Sequence, residues 1–235
     1  MIKPGIFSPL PAAADARRFE FDIKNECLLV NETPIDFVFI GDSITALWEL
    51  DAFFQSDKGA LINRGIGGDS AQYVGKRFEA DALQLKPKHI VLKIGVNDTF
   101  KMDATLMASR ELWKPEVVVK HVTEEIEQIA KLCKEHGQSL IMCSILPTSR
   151  PLSPANEIRN GIIIEMNEMI RNIADSHGFI YVDYHTQFVD TDGKTIRDGL
   201  ADDGVHPHIG GYEVMARVLS ETLQKAGITL ALQNK

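Results

Sequence analysis

The stretch Phe37-Val38-Phe39-Ile40-Gly41-Asp42-Ser43-Ile44 decides how this chain folds. Four consecutive apolar residues followed by Gly-Asp-Ser read as a buried strand that ends in a turn. A strand without polar alternation is covered on both faces, which is the situation of strands in parallel sheets under helices. Ser43 then stands at the C-terminal end of that strand, where open parallel sheets place their ligands.

Working outward, similar apolar runs recur at 60–63, 90–94, 139–145 and 179–182. Helical patterns fill the gaps between them. The clearest runs over 115–136, where Val118, Val122, Ile126, Ile129 and Leu132 recur at three- and four-residue steps before Gly137. Others span 156–177, ending at Gly178, and 210–226, with Val214, Val218 and Leu219 on one face. Alternating strands and helices imply an α/β fold, a five-stranded parallel sheet in a three-layer α/β/α arrangement. Residues 19–35 alternate Phe19, Phe21 and Ile23 with polar positions, which reads as a short β extension, a hairpin turning near Asn25-Glu26 and packed at a sheet edge. One domain over 1–235 is expected, with 1–35 as an N-terminal extension and 36–226 as the catalytic core.

The chemistry comes from residues far from Ser43 in the chain. Asp203-Gly204-Val205-His206 puts an acid three residues before a histidine, a spacing that brings both side chains to one side of a turn. The acid can orient one imidazole nitrogen while the other takes the proton of Ser43. Two further stretches, Asn63-Arg64-Gly65-Ile66-Gly67-Gly68-Asp69 and Gly95-Val96-Asn97-Asp98, each follow a strand-like run. Gly68 lets a backbone N–H approach a substrate closely, and the Asn97 amide carries two donors, so with the Ser43 N–H they form a candidate oxyanion hole. The acids beside these positions, Asp42, Asp69 and Asp98, read as caps and loop anchors.

In order and wording these four stretches resemble the SGNH hydrolases, also called the GDSL esterase/lipase family. Ser43, Gly68, Asn97 and His206 match the family's serine, glycine, asparagine and histidine, and Asp203 matches its acid. The resemblance covers about residues 36 to 225. It implies strand order 2-1-3-4-5, and a serine esterase that cleaves small acyl esters (short-chain, acetyl or lysophospholipid-type) through an acyl-enzyme. The Gly-Ile-Gly-Gly-Asp wording is similar to the branch of platelet-activating-factor acetylhydrolase-like and lysophospholipase-like bacterial esterases. A carbohydrate O-acetylesterase, an acyltransferase of the same family and a catalytically idle binding module are the alternatives. Ser43 is not in Gly-x-Ser-x-Gly, so a nucleophile elbow is not indicated. A flavodoxin-like nucleotide site is disfavoured because Asp69 follows the glycines where a phosphate would want Lys, Ser or Thr.

The remaining features narrow partners and location. With 25 Lys and Arg against 33 Asp and Glu, the net charge of −8 disfavours nucleic acid and anionic membranes. Cys27, Cys133 and Cys143 form no Cys-x-x-Cys pair and read as reduced thiols. No secretory signal and no membrane-spanning run is evident, so a cytoplasmic location and no integral membrane association are expected, with a homo-oligomer compatible. His206-Pro207-His208 near Asp202 and Asp203 is the one cluster of candidate metal ligands, and no third histidine has matching spacing. We therefore expect no metal and no cofactor, and a surface or helix-start role for His208. Substrate selection falls to the loops after the strands. The segment 99–114 carries Phe100, Met102, Leu106, Met107 and Trp113, and 147–156 carries Arg150; Phe100, Met102, Trp113 and Arg150 are the candidate substrate contacts.

Overall fold

The computed structural model describes residues 1–7, 12–104 and 111–233. Its centre is β1 (Ile35–Gly41), in which every residue is buried. Four more strands follow: β2 (Ala60–Gly65), β3 (His89–Lys93), β4 (Ser139–Cys143) and β5 (Ile180–Val182). They pair in the order β2-β1-β3-β4-β5, all parallel. The register places Gly41 beside both Gly65 and Lys93. Three strands therefore end level, and the segments that follow them emerge at one edge of the sheet.

Five long helices accompany the sheet: α1 (Arg18–Val30), α2 (Ala71–Asp81), α3 (Pro115–Glu135), α4 (Asn156–His177) and α5 (Ile209–Lys225). Helices α2, α3 and α4 pack successively on one another. Helix α3 begins with Pro115 at its first turn and buries Val118, Val122, Ile126, Ile129 and Cys133, one stripe of the 3.6-residue period. The Phe39 side of β1 meets an aromatic cluster instead. Trp48 lies edge-on to Phe39 at 5.8 Å, 5.4 Å from Phe54 and 5.6 Å from Tyr212 of α5. Each such ring taken out of water contributes roughly 1.5–3 kcal/mol of transfer free energy. Phe54–Gln55 also pairs antiparallel with Ala231–Leu232, a small second sheet that ties the C-terminal region to this cluster.

The N-terminal extension differs from expectation. Residues 19–35 form no hairpin, because most of them belong to α1. Phe19 and Ile23 are exposed, at 79% and 47%, and only Phe21 of the alternating three is buried. The inward face is Arg18, Phe21 and Asn25, a helical spacing whose polar members mask it in the sequence. Cys133 and Cys143 are buried free thiols, pushed up to about 12 by burial, and Cys27 is exposed. Among the described residues no helix is long and apolar enough to cross a membrane.

Candidate active site

The turn after β1 is held from several sides. Ser43 heads the short helix Ser43–Ala46, so its N–H is one of the amides with no partner inside the helix. Asp42 caps that helix by accepting the Ile44 N–H at 2.9 Å. From α5 the Tyr212 hydroxyl donates to the Ile44 carbonyl at 2.8 Å. From β2 the Asn63 amide donates to the carbonyls of Thr45 and Trp48, at 2.7 and 3.0 Å.

Ser43 Oγ lies 2.8 Å from His206 Nε2, across 163 residues of sequence. His206 Nδ1 lies 2.6 Å from Asp203 Oδ2, and Asp203 Oδ1 accepts the backbone N–H groups of Val205 and His206 at 2.9 and 2.7 Å. Partial burial pushes the Asp203 carboxyl up, but the His206 hydrogen bond and these two N–H groups outweigh it and hold it below its ordinary value. The loop is docked by Gly204, whose φ of +76° suits glycine and whose missing Cβ makes room for the Ser149 carbonyl. The Ser149 N–H donates back to the Gly204 carbonyl at 2.8 Å.

The loop after β2 reaches the same place. A Cβ on Gly67 would stand 3.9 Å from the Ser43 Cβ, and the next residue, Gly68, has φ +78°. Asn97, on the short helix Val96–Thr99, donates one N–H of its amide to the Asp69 carbonyl at 2.8 Å, which anchors the side chain and leaves its second N–H as a donor. Asp98 accepts the Ala71 N–H at 3.0 Å and pairs with Lys101 at 3.1 Å. Asp69 accepts from Arg77 at 2.8 Å; burial raises its pKa to about 6 against the opposing pull of Arg77. The three acids beside the site are thus occupied as caps and anchors.

Residues 39–214 match the model of the GDSL-like lipase/acylhydrolase family. The chain belongs to that family. Its chemistry is that of a carboxylic ester hydrolase. An acetylxylan esterase from Xylanibacter ruminicola is 24% identical over 182 residues, 74% of this chain, which spans only 36% of that relative's length. Platelet-activating factor acetylhydrolase IB subunit alpha1 from Bos taurus is 27% identical over 194 residues, 80% of this chain and 75% of the relative. A solved GDSL-like lipase from Bacteroides thetaiotaomicron shares the fold, with a TM-score of 0.73 at 24% identity over 92% of this chain and all (100%) of that one.

Within this GDSL-family chain the four candidate substrate contacts divide. Phe100, Met102 and Trp113 are partly buried against the core. Phe100 has the guanidinium groups of Arg150 and Arg159 over its ring, at 5.2 and 5.0 Å, and Trp113 meets His121 edge-on at 5.1 Å under Lys101. Both rings thus contact side chains of the chain itself. Arg150 adjoins the loop of Asp203 and His206 through Gly204 and keeps a buried Nη1 without a hydrogen-bond partner. Leu106 and Met107 lie outside the described residues. His208 caps α5, its Nδ1 accepting the Gly210 N–H at 3.0 Å. Among the described residues no group of three or more His, Cys, Asp or Glu is placed to hold a metal ion.

Sequence reasoning missed the groups beneath the site. Arg77 is fully buried and donates to Asp69, to Asp81 at 3.2 Å, and to the carbonyls of Arg64 and Gly41 at 2.8 and 3.0 Å. Lys93 Nζ stands 3.9 Å from Asp42 Oδ2, both buried and neither hydrogen-bonded there. Burial lowers the Lys93 pKa against the attraction of Asp42. The i,i+4 spacing of Arg77 and Asp81 was the one available signal, and it normally marks a solvated helix pair.

Proposed function

We propose that the protein is a serine esterase that cleaves small acyl esters, acetyl esters foremost, through an acyl-enzyme on Ser43. The observation that carries this reading is the unbroken relay from Ser43 Oγ through His206 to Asp203, at 2.8 and 2.6 Å. As Oγ attacks the ester carbonyl carbon, its proton passes to His206 Nε2, while Asp203 holds Nδ1–H and balances the imidazolium charge. The carbonyl oxygen becomes an oxyanion that the N–H groups of Ser43 and Gly68 and the free N–H of Asn97 receive. Collapse breaks the bond to the alcohol oxygen, which leaves with the His206 proton. Water, deprotonated by His206, then releases the acid and restores Ser43.

Both curated relatives described above carry an acetyl ester in their names, which supports a short acyl group. The test is a panel of acyl esters varied in chain length and in alcohol, including acetylated sugars and lysophospholipids, run with wild type and Ser43→Ala. We expect acetyl and other short esters to be preferred, and the variant to lose both hydrolysis and fluorophosphonate labelling while remaining folded. Undiminished turnover by folded Ser43→Ala would overturn the assignment.

A further inference from the structure

Buried ion pairs are weak contributors to stability, since well-packed apolar groups of the same size often serve as well. A chain of them that ends on active-site loops therefore calls for another reason. The N-terminal segment starts such a chain. Ala13, in the 3₁₀ turn Ala13–Arg17, lies so that its Cβ is 3.5 Å from where a Cβ of Gly68 would be. Arg17 Nη1 donates to the Gly65 carbonyl at 3.0 Å. One turn of chain thus touches both ends of the loop 65–68.

Behind that turn, Arg18 grips both oxygens of Asp81, at 2.8 and 2.5 Å. Asn25 donates to Asp81 and to the Ala80 carbonyl, each at 3.0 Å, and accepts Arg64 Nε at 2.9 Å. Asp81 shares its carboxylate with Arg77, whose remaining N–H groups hold the Asp69 side chain and the carbonyls of Arg64 and Gly41. Asp69 in turn anchors Asn97 through its carbonyl. Arg18, Asn25, Arg64, Asp69, Arg77 and Asp81 are all buried. The path runs from α1 to the residue before Asp42-Ser43, to the loop of Gly68 and to Asn97, that is, to every donor of the candidate oxyanion hole.

We propose that the N-terminal segment, through Ala13, Arg17 and Arg18, is a positioning element of the oxyanion hole and sets the rate of the chemical step rather than substrate affinity. This rests on the reading of Ser43, Gly68 and Asn97 as oxyanion donors. Arg17 and Arg18 touch no substrate; they act by fixing where the loop 65–69 holds its N–H groups.

The test uses the full chain with Arg17→Met, Arg18→Met and, as a control on the exposed side of α1, Val30→Ala. Fluorophosphonate titration to completion counts competent sites, so slow enzyme is distinguished from unfolded enzyme. We expect kcat per titrated site to fall about tenfold in Arg17→Met and further in Arg18→Met, with KM within about twofold and Val30→Ala unchanged. Arg17 is partly exposed, so its variant folds even if Arg18→Met does not. Combined with Asn97→Ala, Arg17→Met should cost clearly less than it does alone, because the hole is already disabled. Hydrogen exchange at residues 65–69 should quicken in Arg17→Met. Unchanged exchange there, an unchanged kcat per titrated site or fully multiplicative losses with Asn97→Ala would each overturn the proposal. Faster exchange in Arg17→Met, when no fluorophosphonate labels even the wild type, would instead remove the esterase reading and leave the support of the loop standing.

Discussion

Asn97 commits one amide hydrogen to the Asp69 carbonyl and leaves the other as a donor, so its replacement removes an anchor and a donor together. Asn97→Ala should lower kcat by about 10²–10³-fold, the range typical of one lost oxyanion donor, with KM little changed. A loss below tenfold would mean that the backbone N–H groups suffice. Asp203→Asn keeps a side chain beside His206 Nδ1 but favours the wrong tautomer, whereas His206→Ala removes the base. The aspartate variant should therefore retain more activity, as compared by kcat on one ester, and equal losses would deny Asp203 its orienting role. Activity should also survive exhaustive treatment with EDTA, because the relay through Ser43, His206 and Asp203 has no ion to lose. Reversible loss restored by stoichiometric Zn²⁺ would reassign Asp202, Asp203, His206 and His208 as ligands. At this scale the sequence was most legible: Ser43, Gly68, Asn97, Asp203 and His206 carry their chemistry in their own side chains or backbone and in local wording.

At the scale of elements, α1 shows where such reading stops. Its buried face holds one aromatic residue between two polar ones, and the outward Phe19 and Ile23 imitate strand alternation. Arg18 and Asn25 turn inward only because Asp81 and Arg64 wait there, on α2 and β2, more than 38 residues away. This pairing has a measurable consequence. Burial pushes the Asp81 carboxyl up, but Arg18, Arg77 and Asn25 together hold it below its ordinary value of 3.8. Its folded value lies below its unfolded one, so its contribution to stability is present above about pH 4 and is lost as pH falls through the folded value. Without Arg18 the folded value rises and that contribution shrinks. Arg18→Met should thus shift the midpoint of acid unfolding, followed by circular dichroism, to higher pH; an unchanged midpoint would mean that Arg77 and Asn25 hold Asp81 unaided. Phe21, fully buried beneath the guanidinium groups of Arg17 and Arg64, should cost about 3–5 kcal/mol when cut to Ala, measured by urea unfolding.

For the whole molecule, α1 and α5 meet around Ser43 and the loop of Gly68. Helix α5 reaches the turn of Ser43 through Tyr212, and α1 reaches the loop of Gly68 through Arg17. Tyr212→Phe keeps the ring in its aromatic cluster and deletes the hydrogen bond to the Ile44 carbonyl, so stability should fall by about 1 kcal/mol in chemical denaturation. A larger drop would indicate that the Ser43 turn itself is rebuilt. The sequence by itself determined the alternation of buried strands and helices, since apolar runs and 3.6-residue stripes are local patterns, and the placing of Ser43 at a strand end. It also marked the candidate site residues, because their residue types are few and their wording is compact. Only the tertiary structure decided that His206 Nε2 meets Ser43 Oγ, that Arg150 keeps a buried Nη1 without a hydrogen-bond partner, and that Arg77 and Lys93 lie buried under the site. The physical reason is that a charged side chain in a helix or strand carries no local sign of burial. Its partner lies elsewhere in the chain, and only the packed sheet, with Gly41, Gly65 and Lys93 brought level, makes the two neighbours.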